Sequence, residues 1–265
     1  MEYQQLIVDK VNKVACCRIL NPPMNFMNQT TISELDHLIR DLETDDRVRA
    51  VIFTGAIPDI FITHYDVGEL SFVASLGKPA EMPKVADMLG PQMQNRLQAL
   101  PKPTIAAING ACGGGGCEFA LCCDIRIMAI GDFSIGQPEV SVGIIPGGGG
   151  TQRLPRLIGQ GKALEMLLLG KAVGAEEAER IGLVHQAVPA TELLSTAFLL
   201  ASRLAHGATV AQGLIKRCVY KGNDLPLQEG LQMEAEAFLE SLASEDAQTA
   251  MKSYLTGKLF EFSGH

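Results

Sequence analysis

Two glutamates lie in glycine-rich segments that carry few other charges. Glu118 follows four glycines and a cysteine at positions 113–117, and Glu139 follows the tripeptide Gly136-Gln137-Pro138. A carboxylate among small and apolar residues is costly to ionise, so its pKa rises toward neutrality, where it can act as an acid or a base. The pair therefore predicts a pocket for proton transfer to a bound substrate. The alternative is that both are solvated glutamates near turns.

The segment 104–124 predicts a strand that ends at Asn109-Gly110 and a helix that starts near Gly114 or Gly115 and carries Glu118. Glycines at a helix start let a ligand approach the backbone, and the first N–H groups of a helix have no intrahelical partner. Such groups can bind a phosphate or stabilise the oxyanion of a polarised carbonyl. No Lys-Ser/Thr follows the glycines, which weakens the phosphate interpretation. A carboxylate within one helical turn favours the oxyanion interpretation.

The first half of the chain alternates predicted strands and helices. A helix is expected to begin with a capping box of Thr31 and Glu34. Its apolar stripe consists of Ile32, Leu35, Ile39 and Leu42. Strands are predicted at 5–9, 14–20, 50–53, 105–108 and 125–128. Helices between buried strands imply crossover connections and an α/β core. The stretch 55–87 is less regular, and we expect a mobile loop with a short helix there.

Helices dominate the pattern from Gly159 onward. The one strand predicted here spans 184–188, and Gly170 and Gly182 are placed as C-terminal caps. Helices are predicted at 161–169, 175–181, 191–206, 208–220, 227–243 and 245–256. We expect this C-terminal third to form a helical subdomain that packs against another subunit.

Composition excludes several classes of protein. The 265 residues are 47% hydrophobic and 20% charged, which is typical of a soluble globular protein. A net charge of -8 and a pI near 5.2 argue against nucleic-acid binding. No apolar run reaches the roughly 18–20 residues of a spanning helix, so no membrane association is expected. The N-terminus lacks the pattern of a signal or transit peptide, which predicts a cytoplasmic protein.

The seven cysteines are scattered through apolar segments. An odd count with this distribution predicts reduced core thiols. Cys112, Cys117 and Cys122 recur every five residues, which is not a zinc-site spacing, so no metal site is expected.

Two groups of segments form recognisable motifs. The first comprises residues 105–110, 113–118 and 123–125, and the second comprises 133–139 and 143–154. Together they resemble the signature of the enoyl-CoA hydratase/isomerase (crotonase) family. Residues 20–26 and 182–184 also fit. The resemblance covers nearly the whole chain.

The resemblance implies a spiral of repeated β-β-α turns followed by a helical trimerisation region. It places the α/β core and active site in residues 1–195 and the oligomerisation region in 196–265. It also implies a homotrimer or a dimer of trimers. The expected ligand is an acyl-CoA thioester, and because coenzyme A is part of the substrate, no separate cofactor is expected.

In hydratases of this family, two backbone N–H groups hold the thioester carbonyl while two glutamates position water and move protons. The matching donors here are Tyr65 and Gly115, and the matching acids are Glu118 and Glu139. Relatives that only shift double bonds often keep one acid, so the pair favours hydration. The resemblance further implies a set of substrate-binding residues: Met24, His64, Asp66, Val67, Gly68, Gly114, Pro138 and Gly147.

One departure from the family pattern lies in the segment 61–67. His64 replaces a glycine, and Tyr65 occupies the donor position. The donor is a backbone N–H, which any residue except proline supplies, so the oxyanion hole can survive. Either both side chains pack locally, or they narrow the acyl pocket and His64 adds a group that titrates near neutral pH, as hydrolytic relatives require.

Other polar residues receive structural interpretations. Asp66 and Asp124 are predicted to cap or brace loops, and His37 is predicted to lie on the surface. Lys258 is interpreted as a solvated lysine, with contact to a coenzyme A phosphate as the alternative.

Three functions are compared. The first is an enoyl-CoA hydratase, with some isomerase activity as an option. The second is a hydrolase or carbon–carbon bond-cleaving member of the superfamily that uses His64 with the glutamates. The third is a binding protein such as the RNA-binding relatives, which use a lysine-rich helix. It is disfavoured because residues 31–49 contain no lysine and several acidic residues.

Overall fold

The fold is built on two β-sheets, seen in a computed structural model that describes residues 3–77 and 88–265. The strands in chain order are β1 (Leu6–Val11), β2 (Val14–Ile19), β3 (Ala50–Gly55), β4 (Asp59–Ile62), β5 (Thr104–Ile108), β6 (Gly110–Gly113), β7 (Ile125–Ile130), β8 (Ile135–Gly136), β9 (Ala172–Val173) and β10 (Gln186–Pro189). The large sheet has the order β1-β2-β3-β5-β7-β10, and the small sheet has the order β4-β6-β8-β9. All pairings are parallel except β1 with β2 and β8 with β9.

The helices surround these sheets and form the C-terminal region. They are α1 (Gln29–Thr44), α2 (Val67–Ser75), α3 (Leu89–Ala99), α4 (Gly115–Cys122), α5 (Gly150–Ile158), α6 (Gln160–Leu169), α7 (Ala175–Arg180), α8 (Leu193–Ala205), α9 (Thr209–Gly222), α10 (Leu227–Leu242) and α11 (Glu245–Thr256). The six helices predicted from position 161 onward are confirmed within a few residues at each end. Gly170 ends α6 with a positive φ of 60°, and Gly182 follows α7 with a φ of 78°, as C-terminal capping glycines do.

In each turn of the spiral, the first strand belongs to the large sheet and the second strand belongs to the small sheet. The order β3-β4-α2 is repeated as β5-β6-α4, and β7-β8 begins a third turn. Asn109 joins successive turns: its Oδ1 accepts from Gly55 N at 2.8 Å, and its Nδ2 donates to Ile57 O at 3.0 Å. The predicted α/β spiral of β-β-α turns is therefore confirmed.

The predicted start of α1 is wrong. Asn28 is the N-cap, and its side-chain oxygen accepts from Thr31 N at 2.9 Å. Glu34 instead accepts from the backbone N–H groups of Gln4 and Gln5, at 2.7 and 2.9 Å. Because the helix begins at Gln29, Thr31 already lies in its first turn. The predicted apolar stripe is confirmed, since all four of its residues are buried.

Sequence reasoning missed the short strands of the small sheet. β4, β6, β8 and β9 have two to four residues each, too few for a period to show. Helices α3 and α5 were also missed, and the strand predicted at 184–188 is β10, which begins two residues later. The short helix expected within 55–87 is α2, while residues 78–87 lie outside the described residues.

The C-terminal helices are fixed to the core by a charged contact. Asp124, at the end of α4, accepts from Lys216 Nζ at 2.7 Å and from Tyr220 OH at 2.9 Å, both on α9. It also accepts from Thr104 N at 2.7 Å. The prediction that Asp124 braces a loop is confirmed.

All seven cysteines have free thiols, and six of them are buried in the core. Burial raises the pKa of these core thiols, as for Cys122, whose pKa is about 12. In residues 3–77 and 88–265, no single helix has the length and apolar character to cross a membrane. The bent pair 190–205 and 209–222 meets those two criteria together.

Candidate active site

Glu118 projects from the first turn of α4 into the protein interior and is only 4% exposed. Its Oε1 accepts hydrogen bonds from Gly148 N at 2.7 Å and from Gly150 N at 2.8 Å. Burial raises the pKa of this carboxyl above its ordinary value. The two N–H donors and the Arg153 guanidinium act in the opposite direction, because they stabilise the ionised form.

The glycine loop 147–150 fits closely around this carboxylate. A methyl group at Gly148 would lie 2.6 Å from Glu118 Oε2 and 2.5 Å from Gln94 Nε2. No side chain can be added there without displacing one of these groups. Glycine at this position therefore allows the backbone to come within hydrogen-bonding distance of the acid.

Glu139 begins the 3-10 helix Glu139–Val142 and is half-buried. Its pKa is raised to about 7, chiefly by burial and also by the charge of Glu118, while a backbone hydrogen bond acts in the opposite direction. With its amide nitrogen turned toward Glu139, Gln137 donates to both carboxylate oxygens, at 2.9 and 3.1 Å. Glu139 thus lies close enough to Glu118 for their charges to interact, and it titrates near neutral pH.

Two backbone N–H groups lie beside this pair of acids. Gly115 is the first residue of α4, so its N–H has no intrahelical acceptor. A methyl group at Gly115 would lie 3.4 Å from Tyr65 N, and one at Gly114 would lie 3.0 Å from Glu139 Oε1. Gly114 has a φ of 48°, which favours glycine and turns the chain into α4. The structure therefore brings Tyr65, Gly115 and Glu139 together.

The direction of the Tyr65 N–H follows from strand pairing. Met27 N donates to His64 O at 2.9 Å, and Asp66 N donates to Met27 O at 2.8 Å. Successive amides of an extended chain alternate in direction, so Tyr65 N–H points away from Met27 and toward the side where Gly115 lies. Among the described residues, neither Tyr65 N–H nor Gly115 N–H has a hydrogen-bond acceptor.

The side chains of His64 and Tyr65 pack locally. The His64 ring stacks on Phe26 with a centroid distance of 4.6 Å, and its Nδ1 contacts Tyr65 O at 2.7 Å. Tyr65 OH donates to Glu69 Oε2 at 2.7 Å. These contacts agree with local packing, and the role of His64 in the acyl pocket stays a hypothesis.

Three of the other residues predicted to bind substrate, Asp66, Val67 and Gly68, lie at the start of α2. Asp66 caps α2 by accepting from Gly68 N at 2.7 Å, so its predicted capping role is confirmed. Val67 and Gly68 form the first turn of α2. The Met24 side chain is exposed, and the Met24 backbone carbonyl oxygen accepts from Thr63 Oγ1 at 2.5 Å.

Pro138 directly precedes Glu139, and Gly147 directly precedes Gly148, which donates to Glu118. The Pro138 ring would be 3.8 Å from a methyl group at Gly113. Gly147 opens onto a cleft of about 1110 Å³ between α3, α5 and α9. Their roles in binding stay predictions.

Sequence reasoning missed four residues that hold the acids. They are Gly148, Gly150, Gln137 and Arg153. The last of these donates through Nη1 to Gly148 O at 2.9 Å. The available signal was chemical: a buried carboxylate needs hydrogen-bond donors, and the glycine run 147–150 offers unobstructed backbone N–H groups. Within the described residues, no cluster of His, Cys, Asp and Glu is arranged to hold a metal ion.

Comparison with known proteins decides the family. The model of the family described as enoyl-CoA hydratase/isomerase matches residues 9–265. The chain belongs to this family.

Individual members of the enoyl-CoA hydratase/isomerase family match over nearly their full length. The short-chain-enoyl-CoA hydratase of Clostridium acetobutylicum is 40% identical over 262 residues, which are 98% of each chain. The crotonyl-CoA hydratase of Syntrophomonas wolfei is 36% identical over 99% of each chain. A solved enoyl-CoA hydratase from Geobacillus kaustophilus superposes with a TM-score of 0.92 at 30% identity, covering 100% of this chain and 98% of that one.

Proposed function

We propose that the protein is an enoyl-CoA hydratase that adds water across the 2,3 double bond of an enoyl-CoA thioester. One observation carries the proposal: the buried acid Glu118 and the half-buried acid Glu139 lie beside two backbone N–H groups that have no acceptor among the described residues. Relatives named short-chain-enoyl-CoA hydratase and crotonyl-CoA hydratase favour a short acyl chain.

The N–H groups of Tyr65 and Gly115 would receive the thioester oxygen. Hydrogen bonds to that oxygen withdraw electrons from the conjugated double bond and make C3 electrophilic. The negative charge that develops as water attacks is then stabilised by donors already in position. Gly115 adds the positive end of the α4 dipole.

The environments of the two acids suit different proton transfers. Two backbone N–H groups favour the ionised form of Glu118, so it serves as the base that takes a proton from water. Glu139, with a pKa of about 7, carries a proton in a large fraction of molecules and delivers it to C2. The water oxygen bonds to C3, the double bond becomes single, and the net addition is one water molecule.

We further propose that the protein acts as a homotrimer or a dimer of trimers in the cytoplasm. Its substrate brings coenzyme A with it, so the reaction needs no separate cofactor. The exposed apolar side chains of the C-terminal helices support the assembly.

Loss of the conjugated absorbance of crotonyl-CoA measures the reaction directly. We expect the wild-type protein to hydrate it, and Glu118→Gln and Glu139→Gln to reduce kcat by about 10²–10⁴, the contribution of one acid or base. Glu179→Gln, at an exposed site on α7, is the control and should be neutral.

Two outcomes would contradict the proposal. One is an undiminished rate in the folded double variant Glu118→Gln/Glu139→Gln. The other is release of free coenzyme A, detected with a thiol reagent, without formation of a hydroxyacyl product, which would indicate the hydrolase instead.

A further inference from the structure

The Tyr65 side chain joins the first turns of two helices. Its hydroxyl donates to Glu69 Oε2 in α2 at 2.7 Å and accepts from Gln29 Nε2 in α1 at 3.1 Å. The backbone N–H of Gln29 also donates to the Glu69 carboxylate, at 3.1 Å to Oε2 and 3.3 Å to Oε1. Tyr65, Glu69 and Gln29 thus form a closed triangle, which we call the tyrosine anchor.

The tyrosine anchor acts on the residue that supplies the oxyanion donor. The residues on either side of Tyr65, His64 and Asp66, are both hydrogen-bonded through their backbones to Met27. The carbonyl oxygen of Tyr65 itself contacts His64 Nδ1. A carbonyl oxygen can only accept, so His64 Nδ1 is the donor there. The side chain supplies the third attachment, and the N–H is the one polar backbone group of Tyr65 left to face Gly115.

The anchor persists across neutral pH. Burial raises the pKa of the Tyr65 phenol above its ordinary value of 10, and the hydrogen bond to Glu69 adds to this. The hydroxyl therefore stays protonated and continues to donate. Because the hydroxyl is bonded to Glu69 and Gln29, we assign the phenol a positional role.

We propose that Glu69 and Gln29 are positioning residues that, through the Tyr65 hydroxyl, aim the Tyr65 N–H at the thioester oxygen. The inference rests on the proposed function, because it assumes that a thioester binds at this N–H. Donor direction matters because displacement by about 1 Å can lower a rate by up to roughly 10²-fold. The anchor also explains how a bulky residue can occupy the donor position, because its hydroxyl is bonded to the first turns of two helices.

The experiment compares Tyr65→Phe and Glu69→Ala with the wild-type protein. Both should lower kcat for crotonyl-CoA by about 5- to 50-fold and change KM less than about threefold, since the donor is misaligned in the transition state. Glu69→Gln keeps an acceptor for the phenol and should restore most of the rate. Tyr254→Phe, at an exposed tyrosine of α11, is the matched control.

A spectroscopic measurement separates alignment from a purely structural role. Binding of cinnamoyl-CoA to an oxyanion hole polarises its conjugated carbonyl and moves its absorption to longer wavelength. We expect a smaller red shift with Tyr65→Phe and Glu69→Ala than with wild-type protein or Tyr254→Phe. If Tyr65→Phe and Glu69→Ala fail to fold, Gln29→Ala replaces them in this measurement. It removes only the Gln29 side-chain contact to the Tyr65 hydroxyl at the exposed start of α1, and it should also reduce the red shift.

The results distinguish the two proposals. A full red shift and unchanged kcat in Tyr65→Phe would overturn the tyrosine anchor while leaving the hydratase intact. A wild-type protein that polarises cinnamoyl-CoA but hydrates no enoyl-CoA would overturn the proposed function, and a weaker shift in Tyr65→Phe would still support the anchor.

Discussion

The raised pKa of Glu139 suits it to proton transfer near neutral pH and also lowers the stability of the folded protein there. Its pKa rises from an ordinary value of 4.5 to about 7, first because of burial and then because of the nearby charge of Glu118. Between these two pH values the folded protein binds this proton more strongly than the unfolded chain does. The wild-type protein therefore loses stability as the pH rises through this window.

Glu139→Gln should be more stable than the wild type at pH 8 and nearly equal to it at pH 4.5. The glutamine cannot ionise, so it avoids the cost of a buried charge. Because the site is half open to solvent, we expect a gain on the order of 1 kcal/mol. Urea unfolding at several pH values measures the difference, and a gain that is constant across the range would contradict the assignment.

At the scale of elements, the site depends on how α5 is joined to α3 and the glycine loop. Arg153 in α5 donates to Gln98 Oε1 at 2.7 Å and Asn95 Oδ1 at 2.8 Å, both on α3. A third bond reaches Gly148 O at 2.9 Å. Arg153 thus holds the carbonyl side of Gly148, the residue whose N–H binds Glu118, and its charge lowers the pKa of that acid.

Arg153→Met should reduce hydration about tenfold or more and move the acidic limb of the pH–rate profile to higher pH. Without the guanidinium, the pKa of Glu118 rises, and a base must be ionised to act. Arg156→Met, one turn along and exposed, removes only surface contacts and serves as the control. An unshifted acidic limb in a folded Arg153→Met protein would refute this role.

At the scale of the whole molecule, the C-terminal helices expose large apolar side chains. Phe238 and Leu239 on α10 and Leu255 on α11 are 61%, 66% and 83% exposed. Solvated surfaces rarely carry such side chains together, and clusters of them mark protein–protein contacts. The surface fits the proposed assembly through residues 196–265.

The double variant Phe238→Asp/Leu255→Asp should dissociate the assembly. Buried carboxylates without partners oppose association strongly. Light scattering should show the mass falling from three times the 28.4 kDa chain, or a multiple of that, to 28.4 kDa. Val11→Asp, an equally exposed apolar site on β1, should leave the mass unchanged. A monomeric wild-type protein would refute the trimer.

The sequence was sufficient where the signal is local and periodic. The apolar stripe of α1, the buried strands of the large sheet and the C-terminal helices follow from spacing that repeats within a few residues. The sequence did not predict the strands of the small sheet, because they are too short to show a period. It also placed the N-cap of α1 at Thr31, whereas the N-cap is Asn28, about one turn earlier.

The sequence by itself determined the chemistry of the two acids, because carboxyl groups among glycines are costly to ionise wherever the chain places them. Only the tertiary structure decided what lies around them. Gly148 and Gly150 come to Glu118 from 30 and 32 positions away, and Tyr65 comes to Gly115 from another turn of the spiral. Such contacts leave no trace in local spacing, because they depend on how the turns stack.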